Sequence, residues 1–368
     1  MSSNLKHDKK FFITPEWFAD EQTKRMEPPR GKLLITSCRS GAYLAGRVVD
    51  RYHELLSEAG SQENVLYLEN IDRQFSDSEI CVRLEQHVGG YDVFLIQALF
   101  DPNSNRSVDQ NYIALLIAVR ALREHGAGHI TAVVPYLAYS RQDKPTRFMR
   151  EPTTAKLMAD LSFSAGIDRL ISWHPHSGQI HGFYGSTPVN MLSPLNFFIE
   201  EFSRFKNRND VIIIAPDVGA SKFVTHVGRE LKINSAIASK FRPHPEEVIT
   251  TEIIGDFEHK KIGIILDDMM SSAGTIYSLI KKLVKEKGIE EIYIGVSHNL
   301  GVGDAFDRLT ELNASYNLNE LIVTNSVPQT ERFESLQFVK VRCLSDILSR
   351  TINRIHYNRS VSEIFYES

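Results

Sequence analysis

The apolar run 262–266 ends in two adjacent carboxylates, Asp267 and Asp268. Small residues (Ser271, Ser272, Ala273) then lead into Gly274 and Thr275, where a helical pattern opens. The expected order is a buried strand, a carboxylate pair at its carboxyl end, a loop and a helix N-terminus. Loop amides and the positive end of a helix dipole suit a phosphate, while the aspartates suit ribose hydroxyls or a hydrated Mg²⁺ ion. The segment reads as a sugar-phosphate site; a solvated Asp-Asp turn before an ordinary helix start is the plainer alternative.

Four further groups carry chemistry. The loop that opens with YSRQDK (139–144) sets Arg141, Lys144, Arg147 and Arg150 against Asp143 and Glu151, a basic loop suited to a polyphosphate or to plain solvation. His174, His176 and His181 fall within eight residues and suit a divalent metal or a phosphate, but match no zinc spacing. Asp217, in APDVGASK (215–222), fits either a helix cap or a contact to metal or nucleotide. Lys240 and Arg242 alternate in SKFRP (239–243), so a strand would project both cations from one face. There they can stabilise charge that develops during phosphoryl transfer, or form a solvated edge.

The elements that must position these groups alternate between short apolar runs and amphipathic stretches. Strands are expected at 32–37, 64–70, 92–98, 129–135, 169–173, 211–215, 234–239, 261–266, 291–297, 320–325 and 338–343. Helices are expected at 41–58, 108–125, 153–165, 193–206, 221–232, 274–287, 303–316 and 344–356. Continuous apolar strands separated by helices imply parallel sheets covered on both faces, and 368 residues suit two of them. The expected organisation is an extension at 1–31, α/β domains at 32–190 and 191–343, and a last helix in 344–368 that returns to the first domain. Phe11, Phe12, Trp17 and Phe18 imply that the extension packs on something or forms a partly disordered arm. Ligands of open α/β sheets sit beyond the carboxyl ends of the strands, where all these groups fall.

Bulk properties narrow the class. The 46 acidic and 42 basic residues leave a net charge of −4, with no basic excess for nucleic acid. Cys38, Cys81 and Cys343 make neither a metal spacing nor a disulfide framework, no run is long enough to span a bilayer, and the start of the chain lacks an apolar signal core. A soluble cytoplasmic protein without nucleic-acid or membrane partners is expected.

In order, FSDSE (75–79), YSRQDK (139–144), HPHSGQIHGFY (174–184), APDVGASK, SKFRP, LDDMMSSAGT (266–275) and VTNSVPQ (323–329) resemble the ribose-phosphate diphosphokinase, or phosphoribosyl pyrophosphate synthetase, family over about 32–368. The resemblance implies two type I phosphoribosyltransferase-like domains and Mg²⁺-dependent transfer of the β,γ-diphosphoryl group of ATP to ribose 5-phosphate, with release of AMP. It implies that Phe75, Asp77 and Glu79 reach the adenine of ATP bound to a neighbouring subunit of a dimer-based homo-oligomer, a hexamer being one such arrangement. Arg141, Gln142 and Asp143 would line the nucleotide site, and His176 and Asp217 would contact Mg²⁺ or its water. Lys240 and Arg242 would act on the transferring group from a mobile loop. Asp267 and Asp268 would hold ribose hydroxyls and a second Mg²⁺, and Ser271 to Thr275 the 5′-phosphate.

Two departures bear on substrate. His174-Pro175-His176 stands where the family usually has aspartate-leucine-histidine, and Ser271-Ser272 where it has aspartate-threonine. An acceptor with a larger 5′-substituent, such as ADP-ribose, is therefore an alternative. A non-catalytic regulatory subunit would not need Lys240, Arg242, His176 and both aspartates, and a phosphoribosyltransferase would not need the ATP-type FSDSE segment.

Overall fold

The computed structural model of the chain describes residues 28–146, 148–244, 247–362 and 364, without the side chains of 240–251. Most of the 1–31 extension, with its aromatic residues, and Arg147 therefore lie outside the described residues.

The first sheet contains β1 (Leu33–Ser37), β2 (Leu66–Leu68), β5 (Asp92–Ile96), β6 (His129–Val133), β7 (Arg169–Trp173) and β8 (Val189–Leu192), all parallel, in the order β2-β1-β5-β6-β7-β8. Beside it lies a small antiparallel hairpin, β3 (Asp72–Gln74) and β4 (Ile80–Val82). The second sheet runs β11-β10-β9-β12-β13-β14-β15, built from β9 (Val211–Ala215), β10 (Asn234–His244), β11 (Glu247–Ile254), β12 (Ile262–Met270), β13 (Glu291–Asn299), β14 (Leu318–Thr324) and β15 (Val339–Arg342). Only β11 runs against its neighbour.

Each sheet has a separate apolar cluster on each face. That double burial is why β9 is an unbroken VIIIA. The first sheet is covered by α1 (Ala42–Glu58) on one side and by α2 (Val108–Glu124) and α3 (Thr154–Ala165) on the other. The second is covered by α4 (Leu195–Glu201) and α5 (Ser221–Leu231) opposite α6 (Gly274–Lys287) and α7 (Ala305–Ser315). A short α8 (Glu331–Glu334) precedes β15. The last helix, α9 (Ser345–His356), lays Leu348, Ile352 and Ile355 on the face that α1 covers. Ser349 Oγ donates to the Val48 carbonyl (2.9 Å) and Asn353 Nδ2 to the Tyr52 hydroxyl (2.8 Å).

The sequence expectation needs four adjustments. Val189–Leu192 pairs with β7 as a sixth strand, so we place the division between the domains after Leu192. Pairing of β12 with β13 continues to Met270↔Asn299, so Asp267 and Asp268 lie within the strand and not past its end. The helix expected at 193–206 stops at Glu201 and tightens into a 3₁₀ turn, because Phe202 and Phe205 enter the core under the second sheet. Finally, β10 runs past the expected end at 239 to His244 and pairs with β11, Lys240 opposite Thr250. The backbone of Lys240 and Arg242 is thus strand, as their alternation implies, where the resemblance implied a mobile loop; their side chains lie outside the described residues.

Glu320 on β14 ties the 3₁₀ turn to β15: Arg204 Nη2 donates to it at 2.5 Å and Lys340 Nζ pairs with its other oxygen. Burial alone would raise this carboxyl, but the two cations hold it below its ordinary value of 4.5. A depressed carboxylate contributes stability above its unfolded pKa and loses it as pH falls through the folded one. Since both cations are half-exposed, Glu320→Gln should cost only about 1 kcal/mol, a few degrees of melting temperature. Melts at pH 7 and pH 3 test this; the difference should vanish at the lower pH.

Candidate active site

In the second sheet the strand order reverses between β9 and β12, the crevice where open α/β sheets hold ligands. Asp217 follows β9 there, and Asp267 and Asp268 lie near the carboxyl end of β12, Asp268 two residues before its last. Although consecutive strand residues face opposite ways, the two carboxylates remain close enough to act on each other. Asp267 Oδ1 accepts the Asp268 backbone N–H (2.9 Å), whereas Asp268 Oδ2 meets Nδ1 of His176 at 2.7 Å. His176 lies in the loop after β7, so this contact joins the two domains at the site.

Past the carboxylates, the chain turns through Ser271, Ser272 and Ala273 into α6. Ala273 takes a left-handed φ of 60°, and no side chain caps the helix. Two loop carbonyls are turned away from the helix end: Ser271 O accepts the Val302 N–H (3.2 Å) and Ser272 O accepts Arg308 Nη1 (2.7 Å). A Cβ on Gly274 would come within 3.3 Å of that guanidinium. Uncapped amides at Gly274 and Thr275, backed by an arginine, form an anion cradle.

The electrostatics of the carboxylate group are strained. Burial, followed by the charges of Asp268 and Asp217, raises the Asp267 carboxyl well above its ordinary range. Burial also works to raise Asp268, but the hydrogen bond and charge of His176 prevail and hold it well below that range. His176 is raised by its bond to Asp268 against the effect of burial, with Asp143 and Asp217 adding to the rise. Asp143, Asp217, Asp267 and Asp268 therefore act on one small volume, where a cation would relieve their repulsion.

The nucleotide-side residues are split. Asp143 is buried near His176, and Arg141 and Asp268 both act on the buried Tyr136 hydroxyl, whose pKa is raised mainly by burial. Gln142 is exposed, and its carbonyl accepts the Ala155 N–H at the start of α3 (3.2 Å). Phe75, Asp77 and Glu79 form the β3–β4 turn with local bonds: Phe75 N–H to Glu79 O at 2.8 Å, Glu79 N–H to Asp77 Oδ1 at 3.1 Å. That turn makes a shallow hollow with Asp109, Gln110 and Ile113 of α2, a separate wall from the carboxylate group.

Residues 33–166 match the N-terminal domain of ribose phosphate pyrophosphokinase, and residues 224–366 match the phosphoribosyl synthetase-associated domain. A ribose-phosphate pyrophosphokinase of Campylobacter jejuni is 34% identical over 320 residues, covering 87% of this chain and 94% of the relative. The chain belongs to the ribose-phosphate pyrophosphokinase family. Ribose-phosphate pyrophosphokinase A of Dictyostelium discoideum is 33% identical over 317 residues, covering 86% of this chain and 96% of that one. The crystal structure of phosphoribosylpyrophosphate synthetase from Mycobacterium smegmatis superposes with a TM-score of 0.75 at 28% identity, over 89% of this chain and 99% of that one. Both sheets thus belong to phosphoribosyltransferase-like domains, and the protein is an enzyme of this family.

Ribose-phosphate pyrophosphokinases imply Mg²⁺, and the donor set here fits a hard cation. It consists of carboxylates, one of them raised by burial and then by the charges of its neighbours. Among the described residues no three His, Cys, Asp or Glu side chains converge as a closed coordination set. Mg²⁺ commonly binds through one or two carboxylates while keeping water and substrate oxygens.

Of the three histidines considered for a metal or a phosphate, only His176 reaches the carboxylates. His181 is exposed on the 3₁₀ turn Gly178–Tyr184, and the His174 ring turns to Ser297 Oγ (2.6 Å) against Phe223. Burial pushes the His174 pKa down to about 3. The family's usual carboxylate is thus replaced by a neutral ring packed between the domains. Ser297, His298, Ser326, Tyr136 and Arg308 also border the site and escaped the sequence reading, because their partners lie far away along the chain.

Proposed function

We propose that this enzyme transfers the β,γ-diphosphoryl group of ATP to the anomeric hydroxyl of ribose 5-phosphate, giving phosphoribosyl pyrophosphate and AMP. The observation that carries the reading is the His176–Asp268 contact, which brings a first-domain imidazole onto the carboxylate beside an uncapped helix N-terminus. In this reading residues 271–275 hold the 5′-phosphate through backbone amides, with Arg308 fixing the loop from behind. Asp267 and Asp268 orient the ribose hydroxyls. His176, Arg141 and Asp143 face the nucleotide phosphates, and the β3–β4 turn (Phe75, Asp77, Glu79) and Gln142 serve the nucleotide further out. As the anomeric oxygen bonds to the β-phosphorus, the bond from that phosphorus to the α,β-bridging oxygen breaks and AMP leaves. Asp217, His176, Asp267 and Asp268 would hold Mg²⁺, directly or through water; when bound it would neutralise charge on the polyphosphate. Little covalent help from the protein is needed, so positioning and charge account for the rate.

Lys240 and Arg242 are assigned to the charge that grows on the transferring group. Lys240→Ala should reduce kcat by about 100-fold or more, the usual cost of losing a transition-state donor, with little change in KM for the acceptor. Initial rates at varied acceptor test this, and equal losses in kcat and affinity would contradict it.

A second reading keeps the transfer and enlarges the acceptor to a 5′-substituted ribose such as ADP-ribose. It is favoured by the surroundings of the phosphate loop: Ser271 and Ser272 bring no carboxylate, and Gly303 beside Ser272 has a positive φ and no side chain. Incubation with Mg²⁺, ATP and either ribose 5-phosphate or ADP-ribose, with products identified by mass, separates the two readings. Absence of AMP with both acceptors would overturn the transfer itself.

A further inference from the structure

His174 has a φ of +40° and is followed by Pro175. A left-handed backbone is costly for any L-residue that carries a Cβ, and the position before a proline is further restricted to extended geometry. Something must therefore hold this peptide in place. Within the first sheet the His174 N–H is held by the Leu192 carbonyl (3.0 Å). The other restraints come from the second domain: Ser297 Oγ on the ring, Phe223 packed against it, and His298 Nε2 at 3.1 Å from the His174 carbonyl oxygen.

The contact to the carbonyl settles the proton positions on His298. A carbonyl only accepts, so Nε2 carries the hydrogen; burial keeps the ring neutral, so Nδ1 is an acceptor. It faces Ser326 Oγ at 2.8 Å, which donates to it. Ser326 Oγ also stands 3.0 Å from the Ser297 carbonyl, which Thr324 Oγ1 supplies at 2.6 Å, so the single Ser326 hydrogen goes to the imidazole, its shorter contact. Each donor then has one acceptor.

We propose that His298, oriented by Ser326, is a positioning residue: it grips the His174 carbonyl and thereby fixes where His176 meets Asp268. One residue, Pro175, separates the gripped peptide from His176, and its ring fixes φ, so the orientation is passed on with little slack. The clamp and the target ride on paired strands, His298 opposite Met269 and so one residue from Asp268. The same sheet therefore holds the carboxylate and aims the imidazole that reaches it from the other domain. The inference rests on the transfer reading above, since it assigns the purpose of that contact.

The test exploits the two ends of the ring. The amide nitrogen of glutamine reaches the Nε2 position, whereas that of asparagine reaches only Nδ1. His298→Asn should lower kcat for AMP formation from MgATP and ribose 5-phosphate by about 10- to 100-fold, the scale of a misplacement near 1 Å, with acceptor KM within about 2-fold. His298→Gln should restore most of the rate. Ser326→Ala should lower kcat by about 10-fold, and Ser326→Thr should recover it. Equal rates in the Asn and Gln variants, whether high or low, would overturn the clamp, as would an unaffected Ser326→Ala enzyme. Nitrogen-15 spectra of histidine-labelled resting enzyme should show His298 as the Nε2–H tautomer, and the Nδ1–H form would also overturn it. This last measurement decides the clamp even if wild type forms no AMP, a result that would count against the transfer reading alone.

Discussion

Asp268→Asn is expected to leave the protein folded while cutting turnover by about 100- to 1,000-fold, the scale of losing an electrostatic anchor in a preorganised site. The substituted amide keeps the shape and can still face His176, which lies 2.7 Å away. The lost charge has opposing consequences. His176 no longer has the partner that raises its pKa, while Asp267 is relieved of a neighbour that makes its ionisation unfavourable. These effects offset each other, so the melting temperature should stay within about 2–4 °C of wild type, the shift of a single kcal/mol in a domain of this size. Half-saturation by Mg²⁺ should move to higher concentration. Melting curves and a Mg²⁺ titration of initial rate check all three; unchanged Mg²⁺ dependence would remove Asp268 from the cation's surroundings.

The second large effect lies away from the carboxylates. Arg106 and Asp72 form an ion pair with side chains 2% and 0% exposed, and Asp72 Oδ1 also accepts the Arg39 N–H at 2.5 Å. Asp72 begins β3, the strand leading into Phe75, Asp77 and Glu79, and Arg106 Nε reaches Gln74 Oε1 at the strand's end (3.4 Å). Arg106→Met would strand a buried carboxylate and should cost about 3–5 kcal/mol. The double change Arg106→Met/Asp72→Leu should regain much of that stability, because no charge is then left without its partner. It should not regain ATP affinity if the β3–β4 turn serves the nucleotide, since the turn loses its tether. Thermal melts and calorimetric titration with MgATP separate the two effects. Full recovery of both would reduce the pair to a structural role.

What the sequence disclosed follows from how local the determinants are. Val211–Ala215 is legible as a strand because both faces are buried, and Gly274 as a helix start because small residues precede an amphipathic stretch. The continuation of β12 through Asp267–Met270 is not legible: polar residues end the apolar run, and only pairing with β13 keeps them extended. β11 is hidden similarly, since an antiparallel edge strand has no doubly buried pattern to display. Among site residues, Asp217, Asp268 and His176 could be picked out by chemistry at strand ends. His298 and Ser326 could not, because each looks like an ordinary core polar residue until the fold brings it to His174. The spacing of the three histidines could not separate His176 from His174 by residue type; it is the backbone conformation at His174 that turns its ring into the space between domains.

The return of α9 to the first domain affects how the protein must be made. Asp92 is wholly buried on a central strand, and His356 supplies its Nδ1 contact at 2.8 Å from the last turn of α9. The residues that finish the first domain are thus synthesised after the whole second domain. During translation the N-terminal half leaves the ribosome with the apolar stripe of α1 uncovered and with Asp92 facing only the more distant Arg30 guanidinium, 3.7 Å away. It can complete its core only when residue 356 has emerged. A premature stop just before α9 is therefore expected to leave that core open on one face.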